Sequence, residues 1–224
     1  MLISRLLEKY GEDVPIFTDE ILDVMKDYSR PRVYQLIDEA INHEKLIRYD
    51  RGVYYIPTDT ILGKSSISYD QVVYKKYISN NDDIYGIYGQ FFLELKFMYS
   101  TQFPMLTEVI TNNESRKYRE VIIGKRKVVV KKSRITITKE NVFTYMLLEF
   151  FKNINVDYFI SNKYVNKEIT KFINDKNITL NDINKISNYF PSKSIKNIFL
   201  TGVIYELIRQ QNIKEINSWC IWIL

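Results

Sequence analysis

Arg30, Arg32 and Gln35 lie close together in the run Ser29-Arg30-Pro31-Arg32-Val33-Tyr34-Gln35. An Arg guanidinium can donate two parallel hydrogen bonds to guanine, and a Gln amide can pair bidentately with adenine, so this is a donor set suited to reading base edges in a duplex. Ser29 ahead of them is a residue type that, with a helix N-terminus, holds a phosphate. Tyr34 shares the same outward side, and Lys45, Arg48 and Arg51 follow shortly after as further cations. A second set is denser. Arg116, Lys117, Arg119, Lys125, Arg126, Lys127, Lys131, Lys132 and Arg134 interleave with Val128, Val129 and Val130. In a sheet the valines turn inward and the cations crowd one face or the strand ends. Like charges at that density destabilise a sheet unless something anionic meets them. The functional reading is an anion or partner surface, engaging DNA, a nucleotide or tRNA, or an acidic protein face. The plain reading is a solvated basic edge strand, on which Lys discourages edge-to-edge pairing.

Catalytic constellations are absent from the pattern. The chain has one histidine, His43, and one cysteine, Cys220. A Cys/His zinc site is therefore not expected, and a Ser-His-Asp triad would have to run through His43 at the end of a helix. Gly86-Ile87-Tyr88-Gly89 lacks the downstream Gly-Lys-Ser/Thr of a phosphate loop, and Asp82-Asp83 reads as a solvated turn. Cys220, between Trp219 and Ile221, reads as buried core. No enzyme, cofactor or metal is expected. One cysteine suits a reducing cytosol. Met1–Tyr10 carries Arg5, Glu8 and Lys9 and does not read as a signal peptide. No apolar run is long enough for a membrane span. The expected location is the cytoplasm.

Charge is unevenly placed along the 224 residues, whose net value is +5. Residues 1–60 hold 8 Lys and Arg against 12 Asp and Glu, and residues 115–139 hold 10 against the single Glu120. One short segment thus carries the basic excess, while the N-terminal region is acidic, which disfavours phosphates at long range.

The elements that must position these residues follow from periodicity. Leu2, Ile3, Leu6, Leu7 and Tyr10 predict a first helix ending at Gly11. Thr18 is a candidate cap for a second helix, with Asp19 and Glu20 in its first turn and Ile21, Leu22 and Met25 inward. Ser29 and Pro31 open a third, with Val33, Leu36, Ile37, Ala40 and Ile41 as its apolar stripe. Leu46–Tyr49 and Val53–Ile56 flank Asp50-Arg51-Gly52 as a hairpin with a three-residue loop. Three helices followed by a hairpin is the order of a winged helix-turn-helix. Its third helix enters the major groove N-terminus first, and its wing lies along a neighbouring groove or phosphate strand. Many such modules pack protein instead of DNA, and the acidic charge of residues 1–60 leaves that reading open.

Beyond a connector at 57–67, helices are expected around 69–78 and 89–98, then β structure from Met105 to Thr138. Turns are expected at Asn112-Asn113 and Gly124-Lys125, and Ile135 and Ile137 alternate as in a half-buried strand. Helical segments follow near 142–152, 162–173, 180–189 and 194–210. Ile195, Ile198, Phe199, Val203, Leu207 and Ile208 form a broad apolar stripe, and the terminal residues from Ile216 read as packing on their own domain, with a dimer or partner interface as the alternative. The fold class is α+β: a winged helix-turn-helix over 1–60, then a larger α+β domain over 61–224 with an antiparallel sheet and a helical C-terminal tail.

Several short motifs in order resemble the AbiEi-type antitoxins of abortive-infection toxin–antitoxin operons, over roughly residues 15–150. Leu46, Arg48, Gly52 and Tyr54 match the family's wing pattern. Tyr85-Gly86-Ile87-Tyr88-Gly89 leads into a helix, Thr101-Gln102-Phe103-Pro104 follows, and Val109-Ile110-Thr111-Asn112 comes next. Phe91 and Phe92 stand where that family often has smaller residues, and the chain after about residue 150 matches no motif. The resemblance implies a bacterial protein that binds double-stranded DNA at its own operon promoter as a repressor. It also implies that the chain counteracts a nucleotidyltransferase-like toxin, an antagonism that need not involve a stable complex. The rival expectations are a stand-alone winged-helix regulator whose C-terminal domain senses a ligand or protein partner, and a protein-interaction module with no DNA role.

Overall fold

Helix α1 (Leu2–Tyr10) ends where Gly11 adopts a left-handed φ of 77° and returns its N–H to the Leu7 carbonyl. The computed structural model describes residues 1–61, 63–103 and 105–221, side chains of 215–221 excepted. Strand β1 (Ile16–Phe17) leads into α2 (Thr18–Val24). Thr18 is the first helical residue, not the cap. The Glu20 carboxylate reaches back to accept from the Phe17 N–H at 2.8 Å, satisfying one of the donors a helix start leaves open. Helix α3 (Arg30–Asn42) opens at Ser29 with Pro31 in its first turn.

Strands β2 (Ile47–Asp50) and β3 (Val53–Tyr55) form a hairpin, and β1 pairs antiparallel with the far side of β3, giving the order β1-β3-β2. The connecting turn is the two residues Arg51-Gly52, one shorter than expected. The register slips between Arg48 and Asp50, which leaves Tyr49 as the bulged residue and lets Asp50 pair with Val53. Gly52 has φ 73°, the left-handed conformation this turn requires. Leu2, Leu6, Ile16, Ile21, Met25, Val33, Ile37, Ala40, Leu46, Tyr54 and Ile56 pack as one core. The 57–67 connector contains a small hairpin of β4 (Asp59–Thr60) and β5 (Gly63–Lys64), and α4 (Tyr69–Tyr77) follows.

The chain divides into two compact units. The first comprises Met1–Lys76 with Ile122–Arg126, and the second Tyr77–Val121 with the chain from Lys127 onward. The fold is a mixed α+β one: helices and strands alternate up to Lys132, and the described elements after it are helices.

After Lys76 a short hairpin of β6 (Ser79–Asn80) and β7 (Asp83–Ile84) precedes β8 (Gly86–Tyr88), α5 (Gln90–Lys96), β9 (Thr107–Thr111), β10 (Tyr118–Ile123) and β11 (Arg126–Lys132). All lie in the second unit but for Ile122–Arg126, the end of β10, the turn and the start of β11. Glycine at 86 and 89 serves close packing. A Cβ at Gly86 would stand 1.9 Å from the Tyr77 carbonyl oxygen, and one at Gly89 would stand 2.3 Å from the Glu108 carboxylate.

The four-stranded sheet has the order β10-β11-β9-β8 and is mixed, not antiparallel. β8 and β9 are antiparallel, whereas β11 runs parallel to β9 with Val130 opposite Val109. β10 takes the edge and β11, next in the chain, sits between it and β9. Val128, Val129 and Val130 are buried there.

Residues 134–138 are not a strand. Asn112 supplies in one side chain what a neighbouring strand would supply. Its amide donates to the Ile137 carbonyl and its oxygen accepts from the Ile137 N–H, both at 2.8 Å, and Ser133 Oγ donates to the same oxygen at 2.9 Å. Ile137 is buried and Ile135 partly so without any ladder.

Among the described residues six helices follow: α6 (Val142–Phe151), α7 (Val156–Ser161), α8 (Lys163–Asp175), α9 (Leu180–Ser187), α10 (Ser192–Leu200) and α11 (Val203–Ile221). The expected 194–210 segment is two helices, separated at Gly202 with φ 76°. The break turns the stripe's faces apart: Ile198, Val203 and Leu207 are buried, while Phe199 is 58% exposed. Helix α6 is almost wholly inside, with Phe150 edge-on to Phe97 at 4.9 Å and Phe151 packed on Phe159. Among the described residues no helix is long and apolar enough to cross a membrane. The expectation that Cys220 and the terminal apolar residues are core lies outside the described side chains.

Candidate nucleic-acid interface

Helix α3 presents one polar side to the surface. Val33, Ile37 and Ala40, with Leu36 partly buried beside them, bind α3 to the core, and Tyr34, Gln35, Asp38 and Glu39 point away. Ser29, Arg30, Arg32, Tyr34 and Gln35 are all exposed, as are Lys45, Arg48 and Arg51 before and along the β2–β3 hairpin. Ser29 makes no side-chain capping bond, so its hydroxyl is not committed to the helix. Arg32 leans along the helix, donating to Gln35 Oε1 at 3.2 Å and Glu39 Oε1 at 3.1 Å. Both partners are on the surface, where such a pair contributes about 0–1 kcal/mol. Arg32 is thus held along the helix but easily released. Arg30 has no ion-pair partner among the described residues.

Asp50 organises the hairpin. Its Oδ1 accepts from the Arg51 N–H at 2.6 Å, and its Oδ2 accepts from the Gly124 N–H at 2.8 Å. Gly124 belongs to the first unit, and so do Lys125 and Arg126, both exposed. The Arg126 guanidinium sits 5.2 Å from the Tyr69 ring centroid. Two cations of the basic segment therefore join the unit that carries Arg48 and Arg51. With them, the first unit holds 13 Lys and Arg against 13 Asp and Glu, so the acidic excess of residues 1–60 does not extend to the folded unit.

The rest of the basic segment lies in the second unit and is better compensated than its local composition suggests. Arg119 pairs with Glu114 at 2.7 Å, Lys127 with Glu120 at 2.7 Å and Lys131 with Glu108 at 2.6 Å, while Arg134 stands 3.9 Å from Glu149. Crowded cations there do not by themselves demand an outside anion, because three of the four carboxylates come from beyond the basic run. Arg116, Lys117 and Lys132 are exposed and have no ion-pair partner among the described residues. Glu114, Glu149 and Lys152 are residues the sequence reading passed over. Glu149 had one signal: it is the lone charge in the otherwise apolar and hydroxyl-bearing helix VFTYMLLEFF.

Glu114 is 5% exposed and fully used. It accepts from the Ser115 and Arg116 N–H groups, each at 3.0 Å, and from Arg119 Nε. The Arg116 N–H first, and then the Arg119 charge, hold its carboxyl below the usual glutamate range against the opposing effect of burial. A depressed folded-state value means stability that is present above the ordinary glutamate pKa and is lost as pH falls through the folded value. Glu114→Gln should therefore lower the melting temperature at about pH 7 and narrow its gap to wild type at about pH 3. Thermal melts of both proteins across that range check this, and a gap that does not narrow refutes it.

Among the described residues no cluster of three or more His, Cys, Asp or Glu is placed to hold a metal ion. The sequence profile of a family described as "Family of unknown function (DUF6088)" matches residues 3–180. No curated protein matches the chain.

Proposed function

The chain belongs to the DUF6088 family of unknown function, and we propose that it is a non-enzymatic DNA-binding repressor whose first unit is a winged helix-turn-helix. The observation that carries this reading is the shared exposure of Ser29, Arg30, Arg32, Tyr34 and Gln35 on α3, with Arg48 and Arg51 on the hairpin that follows it. The order α1-β1-α2-α3-β2-β3, with β1 pairing to β3, supports it, since it is the element order of a winged helix and leaves the start of α3 and Arg51 in the hairpin turn exposed. In this reading Arg30, Arg32 and Gln35 read base edges. Ser29, the α3 N-terminus, Lys45, Arg48 and Arg51 hold phosphates.

The resemblance to AbiEi-type antitoxins supplies the biological setting: a bacterial, cytoplasmic autorepressor that also counteracts a nucleotidyltransferase-like toxin. A second reading, a stand-alone regulator whose second unit senses a ligand, is favoured by a cationic cleft in that unit. The test of the common core is a mobility-shift titration of the full chain against the DNA upstream of its own gene, at two salt concentrations. Selective binding whose logarithm falls with log salt by about 0.9 per phosphate contacted is expected. No selectivity over scrambled DNA would overturn the repressor reading. Co-expression with the product of a neighbouring toxin gene tests the antitoxin part, which unchanged toxicity would remove.

A further inference from the structure

Within the second unit, β11, the loop after it and α6 enclose a cleft of about 660 Å³. That volume lies in the range of small-ligand sites, about 300–1,000 Å³. Its cations are Lys117, Lys131, Lys132, Arg134 and Lys152, against one lining carboxylate, Glu149. Lys117 and Lys132 have no ion-pair partner among the described residues, so the cleft holds uncommitted positive charge.

The second observation is Glu149 itself. It is 2% exposed, its Oε1 is bonded to Lys152, and its Oε2 accepts no hydrogen bond. Arg134 Nε stands 3.9 Å from that oxygen, beyond hydrogen-bond reach. A buried carboxylate oxygen without a donor is rare in a native protein, because it loses its hydration without replacement. Beside it, the Tyr145 hydroxyl accepts from the Arg134 N–H at 3.0 Å, fixing the loop that carries the arginine. Burial pushes the Tyr145 phenol up to about 12, so this hydroxyl stays protonated and retains a proton to donate. At the cleft's rim, Tyr118 is half exposed.

We propose that this cleft binds a nucleotide, with its phosphates on Lys117, Lys132 and Arg134 and a sugar or base donor directed at the Glu149 carboxylate. The combination selects the class. Phosphate alone is met by the cations, as at many surfaces. The unspent acceptor is met only by a ligand that carries N–H or O–H groups as well. The exposed Tyr118 ring offers a stacking face for a base. This site is independent of the DNA-reading face, and failure of either leaves the other standing.

The phosphates could come from a free nucleotide or from a nucleic-acid backbone, and isothermal titration of the full chain distinguishes them. The titrants are ATP, GTP, inorganic pyrophosphate and a duplex of scrambled sequence. At least one nucleoside triphosphate should bind in the micromolar range and more tightly than pyrophosphate. Lys132→Gln and Arg134→Gln should each weaken it by about tenfold, the loss of one charge-assisted contact. Glu149→Gln keeps the shape of the side chain. It should weaken the nucleotide while leaving pyrophosphate affinity equal or higher, a split that a purely structural role would not produce. Circular dichroism and melting of the three variants confirm folding. Three results would overturn the proposal: no nucleotide binding at about 1 mM, binding of the duplex alone, or nucleotide affinity that neither glutamine variant at 132 or 134 changes.

Discussion

Replacing Arg30 and Arg32 together with Ala should lower affinity for the selected operator at least about a hundredfold, while leaving the protein folded. Each bidentate contact to a base edge is worth about 1–3 kcal/mol of discrimination, so two give about 2–6 kcal/mol, which spans the predicted loss. The fold should tolerate the change. Both side chains are exposed, and among the described residues the side-chain bonds at stake are the surface contacts of Arg32 to Gln35 and Glu39. Freeing Arg32 from them for DNA costs little for the same reason.

The pattern of loss identifies the role of each cation. Base-reading arginines, when removed, relax selectivity more than they weaken binding to scrambled DNA. Phosphate-binding cations weaken both uniformly and flatten the salt slope by about one per contact. Lys125→Ser with Arg126→Ser should show the second behaviour, because those residues follow Gly124, whose N–H is bonded to Asp50 beside the Arg51-Gly52 turn. Mobility shifts with selected and scrambled duplexes at two salts read all of this. If the double Arg variant binds the operator as wild type does, α3 is not the reading element.

Much of the first unit was legible because its signal is local. Val33, Ile37 and Ala40 recur at helical spacing and are buried together, so the outward set of α3 follows from the same periodicity. Gly11 and Gly52 mark a helix end and a turn for reasons internal to the backbone. The bulge at Tyr49 was not legible, since Arg48, Tyr49 and Asp50 all suit a strand or a loop and only the β3 register decides.

In the second unit the informative partners are remote. Ile135 and Ile137 alternate with polar residues as strand residues do, yet it is the Asn112 side chain that pairs the backbone at Ile137. Alternation reports which side is buried, not what satisfies the hydrogen bonds. The basic run is similar. Charge counted over residues 115–139 sees Glu120 but not Glu108 or Glu149, which reach the run through sheet pairing and helix packing, nor Glu114, which stands just ahead of it. Sequence distance also hid the fact that Ile122–Arg126 belongs to the first unit. Local reading finds the positive charge, and topology decides where it is available.

The largest stability effect in the first unit is expected at Lys75, a residue with no sequence signal to separate it from surface lysines on α4. It is 8% exposed. Its Nζ donates to the Pro15 carbonyl at 2.6 Å and to the Glu20 carboxylate at 2.9 Å, and lies 4.7 Å from the Tyr10 ring centroid. Glu20 is the group that also caps α2 through the Phe17 N–H. One ammonium therefore ties the end of α1, the β1 entry and the start of α2 together. Removing it strands a mostly buried carboxylate, and breaking such a pair costs about 3–5 kcal/mol. Lys75→Ala should thus lower unfolding free energy by that amount in urea denaturation of the full chain. Lys75→Met combined with Glu20→Gln, which leaves neither charge alone, should recover most of it. A loss in Lys75→Ala below about 1 kcal/mol would mean that the pair is solvated and that the clamp is not structural. Because α2 packs on α3, loosening the clamp should also weaken operator binding without touching any residue of the reading face, and a double-mutant cycle of Lys75 with Arg30 separates the two contributions.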